Sequence, residues 1–101
     1  MTTTKKPVHE RDIEKYLVSQ IKVKGSEVRK VKWIGRRNAP DRVFGSKRFG
    51  SVFVEVKAPG KSLTPAQVRE FERMTKSGFT VAWVNSFADV DLLIRVYFQG
   101  G

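Results

Sequence analysis

Apolar residues recur every three to four positions in three parts of the chain, and this spacing predicts three helices. The first covers residues 9–22. The second begins at Pro65, because Thr64 is a good N-cap and Gln67 completes a capping box with it. The third follows Ser86. The apolar or small residues expected on the inner faces are Ile13, Tyr16, Leu17 and Ile21, then Val68, Phe71, Met74 and Thr75, then Val90, Leu93 and Ile94.

Four other segments are rich in β-branched and aromatic residues, which is the pattern of strands. They cover residues 27–34, 41–44, 51–57 and 79–84. In the clearest of them, SVFVEVK at 51–57, alternation puts three valines on one face and Phe53, Glu55 and Lys57 on the other. A strand this apolar should be central and covered, so the charges on its second face need partners.

The predicted order is α-β-β-β-α-β-α, which indicates an α/β fold with a mixed central sheet flanked by helices. Short turns join the first three strands, so these should form an antiparallel meander. The third and fourth strands flank a helix and should be parallel, joined by a right-handed crossover. We expect one domain at residues 9–96, with a flexible N-terminal tail at 1–8 and a C-terminal tail at 97–101.

Composition removes several classes of chemistry. The 101 residues allow one domain, and the absence of cysteine excludes disulfides, thiolate catalysis and Cys-ligated zinc. A single histidine, His9, excludes a two-histidine metal site within one chain. The sequence has neither an apolar run near the roughly 20 residues needed to cross a bilayer nor a signal peptide. A cytoplasmic protein without a membrane partner is therefore the expectation.

Charge is concentrated in one part of the chain. The net charge is +10, and residues 22–48 hold ten Lys or Arg against Glu27 and Asp41, which is +8 of that total. Such clustering predicts a polyanionic partner, most often nucleic acid, although a ribosomal or merely soluble basic protein would have similar charge. The expected phosphate contacts are Arg36, Arg37, Arg42, Lys47 and Arg48.

Three aromatic residues would either fill the core or touch nucleic acid bases. Trp33 and Trp83 fall within predicted strands, so core packing is the expectation for both. Phe49 lies in the basic turn at 45–50, where it would either wedge against bases or anchor the turn.

Asp41, Glu55 and Lys57 form the constellation that predicts chemistry. Antiparallel pairing would bring Asp41, at the start of one strand, close to Glu55 on the next. Two carboxylates held together repel unless a cation lies between them, and Mg²⁺ favours such oxygen ligands. The ordinary alternative is an exposed salt bridge between Glu55 and Lys57, which explains most Glu-x-Lys pairs.

Pro40-Asp41, followed fourteen residues later by Glu55-Val56-Lys57, resembles the PD-(D/E)xK nuclease signature. A wider set of motifs resembles the virus-type replication-repair nuclease domain, VRR-NUC, of the stand-alone phage and bacterial type. The set covers nearly the whole chain in the family order. Its members are ERDIEKYL at 10–17, GRR at 35–37 before PDR at 40–42, VEVKAPG at 54–60 and LTPAQ at 63–67.

The resemblance implies a restriction-endonuclease-like core and a role for each matching residue. Asp41 and Glu55 would ligate Mg²⁺ or Mn²⁺ with help from the backbone carbonyl of Val56, and Lys57 would be the catalytic lysine. Gln67 would lie near the site. The first helix would contribute an acidic residue, for which Glu10 and Glu14 both qualify because they share one helix face.

The resemblance also implies an activity. Stand-alone domains of this size resemble Holliday-junction resolvases that act as homodimers, so a metal-dependent, structure-selective DNA endonuclease is the expected function. It would use no small-molecule cofactor, and it would be nucleoid-associated and in keeping with a phage origin. A flap or fork nuclease is the nearest enzymatic alternative, and a basic DNA-binding protein without catalysis is the other. The preferred DNA structure and the cut position stay open.

Overall fold

A computed structural model describes residues 6–99, and these residues form one mixed sheet covered by three helices. The elements are α1 (Glu10–Val23), β1 (Val28–Lys30), β2 (Arg42–Ser46), β3 (Gly50–Val56), α2 (Pro65–Lys76), β4 (Thr80–Val84) and α3 (Phe87–Phe98). The α/β class and the order α-β-β-β-α-β-α predicted from the sequence are confirmed. Among the helices of residues 6–99, none is both long and apolar enough to cross a bilayer.

The strands lie in the order β1-β2-β3-β4, so β3 is central and β4 is an edge. β1, β2 and β3 pair as the predicted antiparallel meander, although the connection between β1 and β2, residues 31–41, is longer than the predicted turn. β3 and β4 are parallel because the chain returns through α2 to the same end of the sheet. This arrangement places the start of β2 and the end of β3 at one end of the sheet, where Asp41 precedes Arg42.

The main core forms on one face of the sheet. Val52, Val54 and Val56 are buried there, as the alternation in β3 predicted. They pack with apolar side chains of α1 and α3, and each buried side chain contributes about 1.5–3 kcal/mol to folding. The helical members of this core are Ile13, Leu17, Ile21, Val90, Leu93 and Ile94.

A second, aromatic cluster contains Phe53, which alternation directs away from the main core. Its ring lies 5.2 Å from Trp33 and 5.7 Å from Phe79, between ring centroids. Trp33 therefore packs against apolar partners, as expected. Trp83 does not: its side chain is 37% exposed, so the expectation of core packing for it was wrong. Trp83 belongs to the edge strand β4, whose outer side no other strand covers.

The inner face of α2 differs in part from the predicted one. Phe71 and Met74 are buried, but Val68 and Thr75 are exposed and the charged residue Glu70 is buried instead. The helix begins as its sequence predicted: the Thr64 hydroxyl accepts from the Gln67 N–H at 3.1 Å, and the Gln67 amide oxygen accepts from the Thr64 N–H at 3.0 Å. These two bonds satisfy backbone donors that a helix start otherwise leaves unpaired.

The strand expected at residues 27–34 is shorter, because only Val28–Lys30 pair with β2. The Val31 N–H still donates to the Asp41 carbonyl at 2.9 Å, but the chain then leaves β2 through a turn at Ile34 and Gly35, where Gly35 adopts φ = +78°. The C-terminal tail expected from residue 97 also begins later: Tyr97 and Phe98 are in α3, and their rings pack on Phe44. Residues 6–8 of the expected N-terminal tail are exposed and irregular. The rest of the two tails, residues 1–5 and 100–101, lies outside the described residues.

Candidate active site

Asp41 and Glu55 face each other across β2 and β3. The antiparallel register pairs Arg42 with Val54, and its next step places Asp41 opposite Glu55. The Glu55 side chain is half-buried. Burial raises the pKa of Glu55, the negative charge of Asp41 raises it further, and the ammonium of Lys57 opposes both effects. A carboxylate in this position gains stability from any added cation.

Pro40 leaves the backbone carbonyl oxygen of Val56 without an N–H donor from the neighbouring strand. The Lys57 N–H donates to the Val84 carbonyl at 2.8 Å, so odd-numbered residues of β3 bond towards β4 and even-numbered ones towards β2. The pairing ends at Arg42 and Val54; two further steps of the same register would set Pro40 against Val56, and proline has no N–H to donate to the Val56 carbonyl. This carbonyl therefore lies beside Glu55 as an available oxygen donor.

Glu10 and Glu14, the two acidic candidates of α1, have different surroundings in the structure. Oε1 of Glu14 accepts from Nε and Nη2 of Arg42 at 3.0 and 2.6 Å, so Glu14 is committed to an ion pair. Glu10, the first residue of α1, is exposed, and its negative charge contributes to raising the pKa of Glu55. Glu10 is thus the residue of α1 that acts on the site electrostatically.

Arg42 lies inside a network of carboxylates rather than on a free surface. Its side chain is only 13% exposed, and Nη1 also lies 3.0 Å from Oδ2 of Asp41. Burial alone would lower the pKa of Arg42, but the hydrogen bond to Glu14 and the charges of Asp41 and Glu14 raise it overall. The expected phosphate contact at Arg42 is therefore replaced by a bridge between α1 and the start of β2.

The buried carboxylate of Glu70 holds Arg36 in a similar way. Both Nε and Nη2 of Arg36 donate to Glu70, and Arg73 donates to it through Nε and Nη2 at 3.0 and 2.8 Å. These bonds, those from Arg36 foremost, hold the pKa of Glu70 below its ordinary value although burial opposes them. Arg36 stays half-exposed and Arg37 is exposed, so a basic surface remains at this loop.

Lys47 and Arg48 lie far from this group, in the exposed turn between β2 and β3. Six residue steps separate Gly50 from Val56, so the turn is roughly 20 Å from the carboxylate end of the sheet. Lys47 and Arg48 line an open cavity of about 540 Å³ there. Phe49 of the same turn packs edge-on against Tyr97 at 5.2 Å between ring centroids, so it anchors the turn.

The oxygens of Asp41, Glu55 and Val56 are candidate ligands for a divalent metal ion. Within residues 6–99, no three Asp, Glu or His side chains are close enough together to make a complete metal cluster. Asp41, Glu55 and the Val56 carbonyl nevertheless supply three oxygen donors, and Mg²⁺ is typically bound through one or two carboxylates and several waters. Burial and the neighbouring charge of Asp41 both raise the pKa of Glu55, so an added cation would favour its ionised form. The residues therefore fit a hard divalent cation.

Sequence reasoning missed two neighbours of the site. Trp83 pairs in register with Glu55, and paired residues of adjacent strands share a face, so the indole lies beside the carboxylate. Glu70 was not singled out, because an acidic residue in a helix is usually solvated. Its position three residues before Arg73 and one before Phe71 gave only a weak signal of burial.

The chain is similar to a phage nuclease and to solved VRR_NUC structures. No family model matches the sequence. The "Putative nuclease p44" of Acyrthosiphon pisum secondary endosymbiont phage 1 is 39% identical over 79 residues, which cover 78% of this chain and 85% of that protein. A solved structure named "VRR_NUC domain" is 39% identical with a TM-score of 0.77, and the match covers 88% of this chain and 97% of that one.

A second solved structure, named "VRR_NUC domain protein", matches with a TM-score of 0.72 over 95% of this chain and 93% of that one. Its sequence is only 17% identical, so this likeness concerns the fold alone. Together with the first structure it confirms the restriction-endonuclease-like arrangement expected from the sequence motifs.

Proposed function

Since the chain belongs to the VRR-NUC nuclease family, we propose that it is a metal-dependent, structure-selective DNA endonuclease that hydrolyses phosphodiester bonds. The observation that carries this proposal is the convergence of Asp41 and Glu55 in a chain of net charge +10. Two carboxylates on a basic surface would repel DNA unless a cation screened them. A protein that only coats DNA gains nothing from them.

Asp41, Glu55 and the carbonyl of Val56 are the proposed ligands of Mg²⁺ or Mn²⁺. When bound, such an ion lowers the pKa of a coordinated water and neutralises charge on the phosphodiester. Asp41 must first leave Arg42, from which its Oδ2 is 3.0 Å away. Because the Asp41 side chain is 58% exposed, this rotation requires no movement of the core.

Lys57 and Glu10 are the proposed catalytic partners of the metal ligands. Lys57 follows β3 on the face of Glu55, and its ammonium would orient the attacking water or stabilise the developing charge on the phosphate. Glu10, at the start of α1, would help to orient the attacking water. The proposed role of Gln67 is indirect: its oxygen fixes the start of α2, and its amide N–H groups are left to contact DNA.

The DNA is proposed to lie along the basic surface from the loop of Arg36 and Arg37 to the turn of Lys47 and Arg48. Branched DNA is the proposed substrate, cut by a homodimer whose two-fold axis relates the two sites. This substrate would place the enzyme at the nucleoid in the cytoplasm. If the protein is instead a monomer in sedimentation equilibrium and cuts flaps asymmetrically, the flap or fork alternative is correct.

The proposal is tested with a four-way junction, a 5′ flap and a linear duplex, each incubated with Mg²⁺, with Mn²⁺ or with EDTA. We expect cleavage of branched DNA with either metal and none with EDTA. Glu55→Ala should abolish cleavage and leave DNA binding intact, whereas Glu72→Ala, an exposed glutamate on α2, should leave both unchanged. Metal-independent binding without cleavage by the wild-type protein would support the non-catalytic alternative instead.

A further inference from the structure

Ile34 is a large apolar side chain that the fold leaves in water. It is 95% exposed, more than any other large hydrophobic residue among those described. Full burial of such a side chain typically contributes about 1.5–3 kcal/mol, none of which Ile34 supplies to this fold. A single exposed apolar residue is common on protein surfaces, so its surroundings must decide whether it has a role.

The chain on both sides of Ile34 is firmly held. The indole N–H of Trp33 donates to the Pro40 carbonyl at 2.8 Å, and its ring belongs to the aromatic cluster with Phe53. On the other side, Arg36 donates two hydrogen bonds to the buried carboxylate of Glu70. Gly35 adopts φ = +78°, which suits glycine and turns the chain sharply after Ile34. The isoleucine is thus presented outward on a fixed loop.

Cations surround this side chain, and the active site follows it along the chain. Lys32, Arg36 and Arg37 are exposed within three residues of Ile34. The same loop ends at Pro40 and continues directly into Asp41. Proteins that kink or open DNA combine these features: cations hold the phosphates, and an apolar side chain such as isoleucine enters between stacked bases.

We propose that Ile34 is a wedge that enters between bases at the branch point of the DNA and unstacks them beside the scissile phosphate. This inference rests on the proposed function and assigns to the Ile34 side chain the discrimination between branched and linear DNA. A branch point already has weakened stacking, so insertion costs less there than in a continuous duplex, where separating one base step costs a few kcal/mol. Phe49 does not fill this role, since its ring packs on Tyr97.

The test uses junctions that carry 2-aminopurine, a base whose fluorescence rises on unstacking, next to the branch point. The variants are Ile34→Ser, the conservative Ile34→Leu, and Val23→Ser as a matched control, because Val23 is also apolar and 76% exposed but lies at the end of α1. Fluorescence is read in EDTA at equal DNA occupancy, which anisotropy establishes. Cleavage is then measured in Mg²⁺, and melting temperatures confirm that each variant folds.

We expect Ile34→Ser to lose most of the fluorescence rise and to cut the junction about 10-fold more slowly, while its affinity for linear duplex is unchanged. Ile34→Leu and Val23→Ser should behave as wild type. The wedge is refuted if Ile34→Ser keeps the fluorescence rise at equal occupancy, or if wild type bound to the junction gives none. If wild type binds the junction and unstacks its bases but cuts no DNA with any metal, the proposed function fails and the wedge stands.

Discussion

The guanidinium of Arg42 donates two hydrogen bonds to one oxygen of Glu14, across 28 positions of sequence. The same guanidinium lies 3.0 Å from the carboxylate of Asp41. Helix α1 is thereby tied to the start of β2, which the proposed metal ligand Asp41 directly precedes. Glu14 and Glu10 lie one helical turn apart, yet only Glu10 is left to act on the site.

Glu14→Gln should therefore lower the stability of the protein, whereas Glu10→Gln should lower its cleavage rate. Glu14→Gln leaves Arg42, which is 13% exposed, with Asp41 as its remaining charged partner, and the free energy of unfolding should fall by about 1–3 kcal/mol. Glu10→Gln should keep the melting temperature in EDTA and lose most of the cleavage rate. Thermal melts and single-turnover cleavage of the pair measure both effects, and a loss of cleavage only for Glu14→Gln would reverse the assignment.

Glu55→Gln is expected to stabilise the metal-free protein while abolishing cleavage. The folded state raises the pKa of Glu55, so its ionised form is less favourable in the folded than in the unfolded chain. That destabilisation is present above the folded pKa and disappears as pH falls through it, because the protonated acid resembles glutamine. In EDTA the melting temperature of the variant should exceed that of wild type at pH 8, and the difference should shrink at acidic pH.

Addition of Mn²⁺ should stabilise wild type more than Glu55→Gln. At pH 8 it should raise the melting temperature of wild type, because a ligand that binds only the folded state stabilises it. Glu55→Gln should show a much smaller rise. An equal rise in both proteins would place the ion elsewhere.

Glu70→Gln should weaken DNA binding although it removes a negative charge. The buried carboxylate of Glu70 accepts hydrogen bonds from Arg36 and Arg73, so its loss frees the loop that carries Arg37. The matched control is Glu72→Gln on the exposed side of the same helix, where the same change of charge should leave affinity equal or slightly higher. Fluorescence anisotropy with a fixed salt concentration compares the two, and tighter binding by Glu70→Gln would show that the loop needs no anchor.

The two basic surfaces should differ in the length of DNA that they require. Arg37→Ala should weaken binding to any duplex and reduce the slope of log affinity against log salt by about one unit. Lys47 and Arg48 lie roughly 20 Å from the carboxylates, which corresponds to about six base pairs. Replacing both with alanine should weaken binding only to junctions whose arms are longer than about six base pairs. A series of junctions with shortened arms would measure this. Equal losses on all arm lengths would contradict this placement.

The sequence predicted the proposed catalytic end of the sheet because its signals are local. Alternation along β3 separates Val54 from Glu55, and a short turn fixes antiparallel pairing with β2, so Asp41 and Glu55 had to be near each other. The pairs Arg42–Glu14 and Arg36–Glu70 were not predictable in this way. They join side chains 28 and 34 positions apart, and such pairs depend on how helices pack on the sheet.

At Ile34 the local sequence signal gave a wrong prediction. Its β-branched side chain favours a strand, and the sequence therefore predicted a strand through residue 34. Local preference was overridden because Ile34 and Gly35 form a turn, in which Gly35 adopts φ = +78° and the chain leaves the edge of β2. The residue proposed here as a wedge was therefore assigned to the sheet, while Phe49, for which a wedge and a turn anchor were both left open, packs on Tyr97 of α3.

The missing backbone hydrogen of Pro40 also sets a limit on how this protein can be improved. Any other amino acid at that position would bring an N–H group, which would extend the ladder to the Val56 carbonyl and compete with the metal ion proposed to bind that oxygen. A more regular sheet would then be a poorer nuclease. Selection of variants for heat resistance alone is expected to remove this irregularity, whereas selection for DNA cutting would keep it.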